Sequence, residues 1–249
     1  MDAINAYLDE AMRTLQQARD SQHDKLHRGA RMMADAALNG HSLFAFGCSH
    51  AGLLALELYY RTGGMALINP VRAPGLNLDV DPATMTSQME RLPGYGTVII
   101  DHQPIQADDV VIIHSVSGRN HVPVDAALRA REKGAKVIAL TSLAYTATVS
   151  SRHPSGLKLA DVADLVIDNC GCPGDGAVAL PGLAEKVGPT STAVGAALLN
   201  AMMAQAVLLM LQAGATPPVF MSANVEGGDQ HNQDMLRAYR DHIYYMGHI

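Results

Sequence analysis

Five short apolar runs punctuate the chain: LFAF from Leu43, MALI from Met65, VVII from Val110, KVIAL from Lys136 and DLVID from Asp164, with segments of helical character between them. Runs of this length bounded by polar and glycine residues read as buried strands. Repeated strand-helix-strand order dictates parallel strands joined by right-handed crossovers, so the expected class is α/β with a sheet covered on both faces. At 249 residues and 48% hydrophobic content, the chain can bury such a core in one domain. Within residues 1–249 we expect a helical segment over 1–40, an α/β core over 41–215 and a C-terminal loop and helix over 216–249. Ligands of such sheets bind beyond the strand C-termini.

The segment from Asp2 to Asn39 places Ile4, Leu8, Met12, Leu15, Leu26, Met33 and Ala37 at helical spacing, which predicts two helices or one long bent helix stopped at Gly40. Asp125 to Lys133 reads as an amphipathic helix. TVIID, from Thr97 to Asp101, is β-branched enough for a strand but short and close to the next one. The most apolar stretch, Ser191 to Gly214, approaches the roughly 20 residues of a membrane span. Asn200, Gln205 and Gln212 interrupt it and no basic flank anchors it, so a buried helix or a subunit interface is expected.

A formal charge of -6 without blocks of Lys or Arg argues against nucleic acid or anionic membrane as a partner. The acidic N-terminus does not read as a secretion signal, and three cysteines fit a reducing compartment, so a cytoplasmic location is expected. Cys170 and Cys172 lack a second cysteine pair that would complete a zinc site.

Two loops carry the chemistry. FAFGCSHAG, Phe44 to Gly52, and VVIIHSVSGRN, Val110 to Asn120, each end a strand in small polar residues and then enter a helix. Unpaired amides and the positive helix end at such a junction attract a phosphate. In the second loop Ser115, Ser117 and Asn120 supply donors, Gly118 permits close backbone approach, Arg119 adds a charged fork and Pro123 suits the first helical turn. The first loop is not a nucleophile elbow, because Ala51 replaces the second glycine of G-x-S-x-G. It also lacks G-x-G-x-x-G and the P-loop lysine. A phosphosugar site, with Ser49 among its ligands, fits better.

Together GCSHAGLLALELYYRTGG, HSVSGRN, ALTSL, SSRHPSGLKLADVADLVIDNCG, KVGPTSTAVGAALLN and PPVFMSANVEGGDQHN resemble the bacterial sugar-isomerase-domain (SIS) proteins. The resemblance runs from about Leu43 to Arg240 and is strongest to a subfamily related to phosphoheptose isomerase and N-acetylmuramic acid 6-phosphate etherase. It implies a flavodoxin-like three-layer α/β/α sandwich with a five-stranded parallel sheet, preceded by N-terminal helices. It also implies a homodimer or homotetramer with sites shared between subunits. Ser115, Ser117 and Asn120 match the phosphate loop, Thr190, Ser191 and Thr192 the helix cap facing it, and Thr141 and Ser142 a hydroxyl pair after the fourth strand.

The leading expectation is an aldose-ketose isomerase for a sugar phosphate, working by proton abstraction through an enediolate. The alternatives are a lyase or etherase on a phosphorylated amino-sugar and a sensor without turnover. Either chemistry needs an acid-base group beside the anchored sugar, contributing roughly 10²–10⁴-fold. Glu57, on the helix after GCSHAG, is the first candidate, set against a structural pairing with Arg61. Glu90, between the second and third strands, is the second, and His50 in the first loop is placed to polarise a carbonyl or open the sugar ring. The C-terminal SANVEGGDQHN contributes Asn224, Glu226 and His231, the last matching a region from which sugar isomerases supply a histidine to the neighbouring subunit. No cofactor is expected, and no histidine pair has spacing diagnostic of a metal.

Overall fold

The computed structural model describes residues 2–246. Five parallel strands, β1 (Leu43–Gly47), β2 (Ile68–Pro70), β3 (Val110–His114), β4 (Lys136–Thr141) and β5 (Leu165–Asp168), form one sheet in the order β2-β1-β3-β4-β5. The central strands are buried, β1 and β3 along their whole length and β4 from Val137 onward, as expected when both faces are covered. One face, with Leu43, Ala45, Val110, Ile112, Ile138 and Leu140, packs under α1 (Ala3–Leu38), α2 (Leu53–Leu58) and α8 (Ser191–Gln212). The other, with Phe44, Phe46, Val111, Ile113, Val137 and Ala139, packs under α4 (Tyr95–Asp101), α5 (His121–Glu132) and α7 (Leu159–Val162), while the short α3 (Met85–Met89) and α6 (Leu143–Thr148) lie in the connections after β2 and β4.

The N-terminal segment is a single 36-residue helix, opened by the Asp2 carboxylate, which accepts the Ile4 and Asn5 amides. Its second half buries Gly29, Ala30, Met33 and Ala34 against α8; a Cβ at Gly29 would collide with Met202 Sδ at 2.3 Å. TVIID is helical, not extended. Gly94 enters α4 in the left-handed region with its amide held by Asp125 Oδ2 at 2.8 Å, and Gly96 lets the helix close on the Val122 carbonyl of α5. The second strand begins only at Ile68, because Met65 bridges to Val219 in the C-terminal segment. An antiparallel hairpin, β6 (Gly176–Ala179) with β7 (Lys186–Pro189), precedes α8 and is held to α1 by the Tyr7 hydroxyl donating to the Pro189 carbonyl at 2.9 Å. By length and composition α8 is apolar enough to cross a membrane, but half of its apolar window is buried within this fold.

Candidate phosphate site at the sheet switch point

In the order β2-β1-β3-β4-β5 the chain reverses direction between β1 and β3, and the crevice outside their C-termini is where doubly wound sheets bind ligands. Both polar loops lie there. Gly47 lets the first loop fold back tightly, since a Cβ there would sit 2.4 Å from the Ala51 carbonyl oxygen. Ser49 takes a left-handed φ of 54° with its amide donating to the Leu76 carbonyl at 2.7 Å, and His50 beside it is exposed.

The second loop turns its carbonyls into the protein. Val116 O accepts from the Ser142 amide and the Thr141 hydroxyl, each at 3.0 Å, and Ser117 O from the Thr146 hydroxyl at 3.1 Å. Gly118 O accepts from the Leu159 amide at 2.8 Å and Arg119 O from the Arg152 amide at 2.9 Å. The amides of Ser117 to Asn120 find no acceptor among the described residues, and the Asn120 side chain does not cap α5. Carbonyls tied back to the protein and amides left open make a nest of donors continuous with the positive end of a 12-residue helix. Gly118, at φ 61°, makes that reversal of the backbone possible. Thr141 and Ser142 are fully buried with their hydroxyls spent on Val116 O and Gly171 O, so they brace the loop from behind.

The N-terminus of α8 is arranged differently. Asp175 Oδ1 accepts the Thr190 and Ser191 amides, and Asp175 Oδ2 accepts the Ser191 hydroxyl. Thr190 and Ser191 are buried, Thr192 half-buried, and a carboxylate of the chain itself holds the place an anion would take. Close by, His114 ends β3 at 2% exposure with Nδ1 facing the Ala51 carbonyl at 3.2 Å and Nε2 without a partner. Burial lowers its pKa to about 4, against the opposing pull of that hydrogen bond and of Asp175.

Glu90 is half-buried next to the second loop: its carbonyl accepts the Val122 amide in the first turn of α5 at 3.1 Å. Burial raises its carboxyl above the ordinary range, while a hydrogen bond with Asn120 and the charges of Arg91 and Arg152 pull the other way. It also faces Cys48 of the first loop, whose thiol is pushed well up by burial and then by the Glu90 charge. Glu57 lies on α2, paired with Arg61 and accepting from Asn200 Nδ2 at 3.1 Å, more than two turns into α8. Asn224, Glu226 and His231 belong to a segment tied to the residues that lead into β2, with Ala66 N donating to Pro218 O at 2.8 Å and Gly63 N to Phe220 O at 2.9 Å. Within one chain they therefore lie toward the end of the sheet where strands begin, and His231 Nε2 contacts the Val219 carbonyl at 3.1 Å. Among the described residues no group of three or more His, Cys, Asp or Glu could hold a metal ion.

The sequence reading passed over Arg152, His114 and Asp175. Arg152 sits in SSRHPSGLK with no spacing signal, and only the fold brings its Nη1 to Asn120 Oδ1 at 2.7 Å. Asp175 in CPGDG carried the one available sign, an acid in a turn ahead of a helix start.

A parallel sheet that reverses direction between β1 and β3 and is covered by helices on both faces defines the class: a doubly wound α/β domain. The family model described as SIS domain matches residues 6–142, and the chain belongs to this family. A UPF0309 protein of Shouchella clausii is 44% identical over 246 residues, covering 99% of this chain and all of the relative. A UPF0309 protein of Oceanobacillus iheyensis is 44% identical over 237 residues, covering 95% of each. Among solved structures, a phosphoheptose isomerase from Francisella tularensis aligns with a TM-score of 0.53 at 16% identity over 82% of this chain and 96% of its own. Another from Neisseria gonorrhoeae gives 0.52 at 21% identity over 82% and 97%. These two share the fold.

Proposed function

We propose that the protein binds a phosphorylated sugar at the β1/β3 switch point and isomerises it between aldose and ketose by proton abstraction. The observation that carries this reading is the open amide nest of Ser117 to Asn120 with the raised-pKa carboxyl of Glu90 beside it. The phosphate seats on the nest and the α5 dipole, with the Ser115 and Ser117 hydroxyls and Ser49 around it. Glu90 moves the proton between adjacent carbons: partial burial weakens it as an acid, and a base with a pKa nearer neutrality transfers protons better in both directions. His50, exposed on the first loop, polarises the carbonyl. The names of the solved relatives, both phosphoheptose isomerases, support the choice of reaction class.

The assembly we propose is a homodimer or homotetramer in which His231, Asn224 and Glu226 arrive from a second subunit. An exposed stripe on α1, with Ile4 at 74% and Met12 at 61% exposure, supports it. Proton NMR in heavy water with a panel of phosphorylated aldoses, ketoses and amino-sugars tests the reaction. Deuterium entering beside the carbonyl with ketose formation is the expected result. Loss of a carbon-oxygen substituent would point to a lyase, binding without exchange to a sensor, and absence of any binding would overturn the reading.

A further inference from the structure

Three arginines gather on the lip of the α5 N-terminus. Arg91 follows Glu90, Arg119 belongs to the second loop, and Arg152 arrives on the segment from Val149 to Lys158 that straps the loop from outside. The strap is fixed there by Arg152 N to Arg119 O at 2.9 Å and Leu159 N to Gly118 O at 2.8 Å. It is fixed further by Lys158 Nζ, which donates to the Thr146 and Val149 carbonyls, and by His153 Nε2 against Asp125 Oδ1 at 2.9 Å. Arg152 Nη1 donates to Asn120 Oδ1 at 2.7 Å and Arg119 Nη2 to Ser150 Oγ at 3.3 Å.

Arg119 and Arg152 have neutral side-chain partners, Ser150 and Asn120, where most arginines elsewhere in the chain have acids. Among the described residues none of the three makes an ion pair, although Arg13, Arg61, Arg129, Arg131 and Arg237 all do. Arg119 Nε is enclosed without an acceptor. Burial, followed by the charges of Arg119 and Arg91, lowers the pKa of Arg152. In a chain of net charge -6 this is local positive charge held together against its own repulsion, at a helix end that is already positive. The one carboxylate acting on Arg152 against these charges is Glu90, a single acid beside three guanidinium groups. One phosphate on the amide nest leaves part of this cluster unanswered.

We propose that the ligand carries a second anionic group, held by the forks of Arg152, Arg91 and Arg119 at the rim, so that the substrate class is a sugar phosphate bearing a further carboxylate or phosphate. This rests on the phosphosugar reading above and specifies it. A planar guanidinium fork pairs with either group through two parallel hydrogen bonds, which discriminates strongly against a neutral hydroxyl at the same place.

Calorimetric titration of the full chain with glucose 6-phosphate, 6-phosphogluconate, fructose 1,6-bisphosphate and gluconate tests it. About tenfold or greater preference for 6-phosphogluconate over glucose 6-phosphate is expected. The preference should shrink several-fold in Arg152→Gln and Arg91→Gln, with glucose 6-phosphate binding serving in each variant as the check that the protein is folded. A shared preference for fructose 1,6-bisphosphate would assign the rim to anions in general, and its absence to carboxylates. Equal affinity for glucose 6-phosphate and 6-phosphogluconate, or a preference untouched by both substitutions, overturns the second subsite and leaves the phosphosugar reading standing. Binding of gluconate with no phosphosugar binding would overturn the phosphosugar reading itself.

Discussion

Asp175 closes the N-terminus of α8 through Ser191: one carboxylate oxygen accepts the Ser191 amide at 2.9 Å, and the other accepts its hydroxyl. Thr190 adds a second amide at 3.2 Å. Asp175 holds a left-handed φ of 66° to reach them, a conformation that aspartate tolerates better than most residues. Asp175→Ala leaves two buried amides and a buried hydroxyl without an acceptor beside the positive end of a 22-residue helix. We expect a loss of about 2 kcal/mol in denaturant unfolding.

Glu90→Gln keeps the shape and removes the titrating group. Solvent deuterium exchange into the sugar should fall by roughly 10²-fold or more, while Glu57→Gln, which loosens the pairing with Arg61 and Asn200, should leave exchange measurable. If the two variants behave the other way round, the base is Glu57.

The same variant has a stability signature. The folded Glu90 carboxyl binds its proton more tightly than the unfolded one, so stability falls as pH rises from the ordinary carboxylate value through the raised one. Wild-type protein should therefore lose melting temperature relative to Glu90→Gln across that window and run parallel to it at higher pH. Parallel curves throughout would show that burial does not perturb this group.

His114 works in the opposite sense. Its folded pKa of about 4 lies below the unfolded value near 6.5, so between those two pH values the unfolded chain binds the proton that the folded one refuses. Stability should decline by about 3 kcal/mol as pH drops from 6.5 to 4, an upper value for this one group. His114→Asn retains a donor toward the Ala51 carbonyl and should flatten that part of the pH profile in thermal melts.

Gly118→Ala puts a Cβ 3.3 Å from that of Leu159 at a φ of 61°. The strained loop should cost about 1–2 kcal/mol and lower affinity for sugar phosphates well beyond that of Ser117→Ala. Titration with glucose 6-phosphate compares the two.

Met12→Glu, at a position 61% exposed on the α1 stripe, should shift the mass seen by light scattering from dimer or tetramer toward monomer. A monomeric wild type would remove the shared site.

Most of the sheet was legible because fully buried strands leave continuous apolar runs, and all five runs led to strands, with the second entered only at Ile68. TVIID stayed ambiguous because its β-branched residues answer to tertiary contact: Gly94 and Gly96 bring it onto α5, and that packing outweighs a propensity worth a few tenths of a kcal/mol per residue. The hairpin β6–β7 went unread since its strands are short and bury only Val178, with little alternation to mark them. At the site, the second loop was readable from its serines and glycine. The direction its carbonyls face depends on Thr146, Leu159 and Arg152, up to about 40 residues away in sequence, and nothing local encodes it.

That orientation bears on how the protein can vary over time. A ligand gripped by main-chain amides is gripped by atoms every amino acid possesses, so a side chain such as that of Ser117, apart from the rim contacts of Arg119 and Asn120, can be exchanged with modest effect so long as Gly118 stays and the outer supports hold. Inheritance at this site should be strict in conformation and lenient in composition, leaving the rim and the first loop as the places where one descendant comes to prefer a different sugar from another.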